Sequence, residues 1–233
     1  MTKTRRVKNI YSGRPTLEGA GVRLNRIFGH SEVPKFDPFL LLDDFHSRNP
    51  RDYMAGFPWH PHRGIETVTY MLAGEVDHRD SLGNAGTIGP GDVQWMTAGG
   101  GIMHEEMPAP RQGEMAGFQL WVNLPARLKM TRPRYQEITA AQIPEVNTDG
   151  ARVKVVAGEF GTTRGPVSDI FTDPEYLDVS LPEKGSFHRT LPADHTVSSH
   201  RRAPRDADLR GDGPDDHGVI SGQDVNAPPL VAD

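Results

Sequence analysis

The chain has 233 residues, a formal net charge of −5, 25 glycines, 20 prolines and no cysteine. Without cysteine there is no disulfide, no thiolate catalysis and no cysteine-based zinc site; the acidic balance argues against a bare DNA binder, which shows a basic surplus; and no apolar run approaches membrane-spanning length. Apolar content is modest and helical periodicity is scarce, so an all-β fold of short strands and turns is expected, as one large domain or two small ones.

The N-terminal stretch carries Lys3, Arg5, Arg6 and Lys8 but no apolar h-region. It reads as a solvated terminus rather than a nucleic-acid arm, and the missing signal points to the cytoplasm. The first informative run is His60-Pro61-His62. It leads into Glu66-Thr67-Val68-Thr69-Tyr70-Met71-Leu72, where Val68, Tyr70 and Leu72 fall on one face of a strand that Gly74 ends. Gly83-Asn84, Gly86 and Gly89-Pro90-Gly91-Asp92 are turn material, and Val93-Gln94-Trp95-Met96 is a short strand. Ala98-Gly99-Gly100-Gly101 is a permissive segment in which the backbone passes close to something or takes positive φ. Directly after it come Ile102-Met103-His104-Glu105-Glu106.

On an extended strand, residues two apart point to the same face, roughly 6–7 Å apart along the chain. His60 with His62, and His104 with Glu106, are two such pairs, and on facing strands they can aim four side chains at one point. Parity also separates the acids: Glu106 shares a face with His104, and Glu105 points the other way. Three imidazoles and a carboxylate suit a borderline or harder first-row ion, such as Fe, Mn, Ni or Zn. A lone His-x-His is more often a solvated or hydrogen-bonded pair than a metal site. Two matching pairs with strong turn signals between them tip the balance towards metal. Phe57, Trp59, Met96 and Met103 are candidates to line a cavity beside the ion, or equally to fill the core.

Phe118, Leu120 and Val122 form one face of a late strand that closes a first unit at residues 1–125. Residues 126–150 show few regular patterns and read as a connector. A second, partial β unit is expected over 151–197, with strands at 152–156 and 176–181 either propped against the first unit or forming the weakest part of the protein. His188 and His195 are seven apart, the wrong spacing for a same-strand pair, so this unit is expected to hold no metal. Residues 198–233 contain no Phe, Trp, Tyr, Lys or Glu, yet seven Asp, and no strand-length alternation. Such a composition buries too little apolar surface to offset chain entropy, so a disordered tail is expected there.

Residues 60–74 read His-x-His-x3-Glu-x7-Gly and resemble the first motif of cupin β-barrels; Pro90-Gly91-Asp92 through His104 resembles the second. The run from His60 to Pro108, with FDPFLLLDDF at 36–45 and GFQLWVNLP at 117–125, is closer still to the pirin family. The resemblance extends from about residue 4 to about residue 197, and a departure after Val197 reads as a shifted frame or a replaced C-terminus. It implies a bicupin fold, two β-barrel domains of which the second is incomplete here. It also implies one iron in the first barrel, held at the positions of His60, His62, His104 and Glu106. Glu66 matches a ligand of many cupins but not of pirins, so it is placed beside the ligands, where it could orient a histidine. The implied activity is that of a quercetin 2,3-dioxygenase, cleaving a flavonol with O2, with Glu106 or Glu66 taking the substrate's hydroxyl proton. The other implied role is an iron-dependent regulatory protein that binds a transcription factor or a metabolic enzyme without turnover. A metal that only stabilises the barrel is the third reading.

Overall fold

The computed structural model describes residues 7–32, 36–109, 113–148, 150–172, 174–182 and 185–200, with the backbone of Val219–Ser221 and Leu230–Val231. In chain order, β1 (Asn9–Tyr11), β2 (Arg14–Glu18), β3 (Val22–Phe28) and β4 (Phe39–Ser47) precede β5 (Phe57–His62), which carries the first histidine pair. Then come β6 (Ile65–Ala73), β7 (Val76–Asp80), β8 (Ala85–Ile88), β9 (Val93–Thr97), β10 (Ile102–Pro108), β11 (Met115–Asn123) and β12 (Arg134–Ile138). These build two facing antiparallel sheets, one ordered β12-β9-β6-β11-β4-β3-β2 and the other β5-β10-β7-β8. The all-β expectation therefore holds, and among the described residues no helix is long and apolar enough to cross a membrane.

The large sheet is buried on both faces. Along β6, Val68 and Tyr70 are 1% and 2% exposed, and the alternate residues Thr67, Thr69 and Met71 are equally enclosed. Register carries this sorting across the sheet: Val68 pairs with Trp95 on β9 and Leu120 on β11, while Thr69 pairs with Gln94 and Gln119. One face is thus apolar and the other largely polar. The apolar face does not line the barrel. Val68, Tyr70, Val93 and Trp95 pack outward against Ile143, Val156, Ala157 and Val167 of the second unit. The polar face points inward, and the far end of the barrel is plugged by Tyr53, Met71, Val76, Ile88 and Met115.

That second unit is a three-stranded sheet of β13 (Glu145–Asn147), β14 (Arg152–Ala157) and β17 (Tyr176–Ser180), with a small hairpin of β15 (Glu159–Phe160) and β16 (Thr163–Arg164). It is propped against the first barrel. Tyr70 Oη donates to Asp178 Oδ2 at 2.7 Å, and Gln136 Nε2 donates to the Ser168 carbonyl at 2.7 Å. The stretch read as a connector is more ordered than its composition signals. Its β12 pairs with β9 and completes the large sheet, and β13 already belongs to the second unit. Its inward residues, Tyr135 and Glu137, are too polar to print an apolar alternation.

Most of the expected tail at 198–233 lies outside the described residues. Beyond residues 198–200, its described stretches are β19 (Val219–Ser221) and β20 (Leu230–Val231), which pair with β1 and with β18 (Ser186–Phe187), short strands that composition alone did not signal.

Gly99 shows why the glycine run before β10 is needed. Its φ is +49°, and a Cβ there would collide with the Thr131 carbonyl. The neighbouring Gly100 N–H donates to that same carbonyl at 2.8 Å.

The Tyr70–Asp178 bond ties the two units through a half-buried carboxylate. Tyr70→Phe leaves that acceptor without its donor and is expected to lower stability by roughly 1–3 kcal/mol while metal content stays unchanged. Urea denaturation measures it; a loss near zero would mean that water replaces the hydroxyl at this boundary.

Candidate metal centre

The strands β5 and β10 are antiparallel neighbours, with His60 opposite His104 and His62 opposite Ile102. All three histidines therefore project from one face of the small sheet into the barrel. Their ring centroids lie 4.8 Å (His60–His62), 4.4 Å (His60–His104) and 5.0 Å (His62–His104) apart. One nitrogen from each falls within 4.8 Å of the other two. Ligands at about 2.1 Å from a single ion stand roughly 3–4 Å apart, so small side-chain rotations bring the three onto one centre. Pro61, between the first two ligands, is tolerated because β5 is the edge of its sheet, where a missing N–H breaks no ladder on the open side.

Burial sets the charge state of the group. His104 and His62 are 1% and 8% exposed. Burial first, and the adjoining imidazoles second, push both down from 6.5 to about 3. Both rings are therefore neutral at ordinary pH and present lone pairs, the form a metal needs. Both ring nitrogens of His104 are buried with no hydrogen-bond partner. Buried polar atoms are normally paired, and an ion among the three rings would take the lone pair of one of these two nitrogens, leaving the other as an N–H. His60 Nδ1 lies 2.9 Å from the Pro58 carbonyl. A proton on Nδ1 donated to that oxygen leaves the Nε2 lone pair free for the centre.

Glu106 adjoins this group of three. It is 6% exposed, and its Oε2 lies 4.0 Å from His104 Nε2. Thr69 Oγ1 stands 3.3 Å from its Oε1 and 3.2 Å from Gln119 Oε1. One hydroxyl has one proton, so a Thr69 that donates to Glu106 must receive from the Gln119 amide, which requires the other amide orientation of Gln119. Glu105 lies on the outer face and pairs with Arg79, the side that strand parity assigns it.

Glu66 is not brought to the cluster. It shares the outward face of Val68 and Tyr70, is fully buried, and accepts a hydrogen bond from Thr97 Oγ1 at 2.7 Å. Burial raises its pKa, opposed by Thr97, Trp95 and Arg134. Strand parity thus sets Glu66 on the face opposite Thr67 and Thr69, whereas a place beside the ligands was expected of it. Two of the expected cavity residues are corrected as well. Trp59 and Met103 alternate with the ligands and lie on the outer surface, 43% and 45% exposed. Met96 is enclosed inside the barrel with Ala98 and Ile102, and the Phe57 ring is 6.4 Å from His60. His188 and His195 are exposed and away from the cluster.

Sequence reasoning missed the rest of the interior. Trp121 stands 5.2 Å from His62, ring to ring, at 83°. His78 pairs with Glu106 across β7 and β10, and its Nε2 lies 2.7 Å from Glu137 Oε1. Tyr135 is 5.7 Å from His78, and burial raises its pKa, as do the carboxylates of Asp80, Glu106 and Glu137. The available signal was the polar parity of β11, where Gln119, Trp121 and Asn123 alternate with Phe118, Leu120 and Val122.

Comparison with known proteins agrees with this geometry. The family model described as Pirin matches residues 21–122. A pirin-like protein of Caulobacter vibrioides is 53% identical over 195 residues, covering 83% of this chain and 71% of its own length. Pirin of Mus musculus is 41% identical over 195 residues, covering 82% of this chain and 64% of its own length. The crystal structure of a quercetin 2,3-dioxygenase from Acinetobacter baumannii matches with a TM-score of 0.80 at 33% identity, over 96% of this chain and 83% of that one. The fold is that of the bicupins, with a second unit that among the described residues is a three-stranded sheet and a small hairpin, and three histidines stand together in the first barrel where they could hold a metal. The chain belongs to the pirin family.

Proposed function

We propose that this chain is a metal-dependent dioxygenase that opens flavonol-type rings with O2, its ion an iron held by His60, His62, His104 and Glu106. The observation that carries the reading is the convergence of three imidazoles, two of them forced neutral by burial, beside a carboxylate. Three or four protein ligands leave positions open on a six-coordinate ion, unlike a closed structural zinc site. The similarity to the Acinetobacter baumannii dioxygenase supports a flavonol as the substrate class. Mn, Ni and Zn satisfy the same donors and are alternatives to Fe.

A bound ion of this kind supplies Lewis acidity towards the substrate's oxygens and an electron route to O2. The chain supplies the rest. The polar inner faces of β6, β9 and β11 offer hydrogen-bonding groups to an oxygenated ring. Glu106, steadied by Thr69, takes the flavonol's 3-hydroxyl proton. Neutral His62 and His104 do not compete for that proton. The net reaction joins flavonol and O2, breaks two ring carbon–carbon bonds, and yields a phenolic ester and carbon monoxide.

The ligand set is tested by metal analysis of purified variants. Alanine at His60, His62 or His104 is expected to cut metal content sharply, and Glu106→Gln to reduce it, whereas Glu105→Gln is close to silent. Metal lost in Glu105→Gln and retained in Glu106→Gln would reverse the parity assignment.

The buried histidines also set a pH dependence for the metal-free protein. Their folded-state pKa lies below the unfolded value, so the unfolded chain binds the extra protons. Stability is complete above about 6.5 and falls as the pH is lowered towards 3. Urea midpoints across that window measure the slope, and bound metal is expected to shift the loss to lower pH because protons must compete with it.

Turnover itself is tested by oxygen uptake and carbon monoxide release on adding quercetin to Fe-, Mn- or Ni-loaded protein. Metal-dependent release of carbon monoxide is the expected result. None from folded, loaded protein would move the assignment to a regulatory binding protein.

A further inference from the structure

We propose that Trp121 is the aromatic wall of the metal centre, the surface on which a planar ring stacks and which makes the site selective for aromatic substrates. This rests on the oxygenase reading above and adds to it a residue that decides what enters. The protein holds three tryptophans in three different settings. Trp95 is 1% exposed in the apolar layer between the two units, and Trp59 is 43% exposed on the outer surface. Trp121 alone sits on the inner face of β11, half-buried, within one ring's width of a candidate ligand.

Its surroundings explain it only in part as core. The flanking residues on its own face are Gln119 and Asn123, and its cross-strand partners are Thr67 on β6 and the buried Leu41 on β4. It belongs to none of the buried apolar clusters, which gather Phe118 and Leu120 from the opposite face of the same strand. With Leu41 as its apolar cross-strand neighbour and otherwise polar groups around it, the half-buried ring uses only part of its apolar surface within the folded chain. Among the described residues its aromatic contact is His62, met at 83° and 5.2 Å. A perpendicular contact of that kind leaves indole surface unstacked, and offset stacking is how a flat oxygenated ring would use it. Because Trp121 meets His62 edge to face, a ring stacked on it would stand next to the histidine cluster.

The test compares Trp121→Leu and Trp121→Phe with wild type and with Trp59→Leu, a surface control. Metal content and thermal midpoint are measured first, then quercetin affinity of the loaded protein without oxygen, then steady-state turnover with oxygen. Trp121→Leu is expected to retain metal, to weaken quercetin binding and raise KM about tenfold, the scale of one aromatic contact, and to change kcat much less. Trp121→Phe is expected to restore most of the affinity, and Trp59→Leu to match wild type. If wild type binds and cleaves quercetin and Trp121→Leu does so with unchanged affinity and KM, the wall is overturned and the oxygenase reading stands. If Trp121→Leu loses its metal, Trp121 is a support for His62 and the proposal is likewise overturned. If loaded wild type neither binds nor consumes quercetin, the oxygenase reading falls and the wall with it.

Discussion

The large sheet is enclosed on both sides, and everything else in the structure follows from which residues face which way. On β6, β9 and β11 the alternation sends Val68, Tyr70, Val93 and Trp95 outward and Thr67, Thr69 and Gln94 inward. A fully buried apolar side chain contributes about 1.5–3 kcal/mol relative to an exposed one, so the outward face needs a cover. Ile143, Val156, Ala157 and Val167 provide it. The second unit is therefore part of what keeps the first barrel folded, whatever else it does. In exchange, part of the inner face is free to be polar, because apolar packing there is confined to the plug of Met71 and Met115 and to Met96 with Ile102.

That freedom makes a metal centre possible. A barrel filled with branched aliphatic side chains has no room for imidazoles, whereas this interior gathers three of them with Glu106, Thr69 and Gln119 close by and holds a fourth, His78. Burial then acts on the group as a whole. It disfavours the protonated form of His62 and His104 and leaves the nitrogens of His104 without a hydrogen-bond partner. Buried nitrogens without such a bond are unfavourable, so an ion binding there would be favoured.

Local features carried most of what could be read in the sequence. Same-face spacing identified His60, His62 and His104, and separated Glu106 from Glu105, because a two-residue repeat depends on nothing distant. The glycine run at 99–101 announced its close approach for the same reason. What failed was the choice of inside and outside. The apolar face of β6 looks like barrel lining until Val156 and Ala157 are seen to lie against it, and those residues are nearly ninety positions away. Glu66 lies on that face, although the cupin resemblance suggested a place beside the ligands, and Trp121, on the other, carries no signal of its own in the sequence. The strand β12 escaped notice because its inward residues are a tyrosine and a glutamate, so no apolar rhythm marks it.

The pairing of β5 with β10 slips between His104 and Glu106: His60 faces His104, but Phe57 rather than Pro58 faces Glu106. The additional residue lies at Pro58–Trp59 on β5, and such a bulge takes a carbonyl out of the regular ladder. The Pro58 carbonyl, close to His60 Nδ1, is one so placed. The tautomer of a prospective ligand is thus written into the main chain, by the count of residues between two pairing positions. Every amino acid carries a carbonyl, so exchanging the side chain at position 58 does not delete the acceptor. In evolutionary terms the orientation of His60 is buffered against point substitution and vulnerable instead to the gain or loss of one residue in β5.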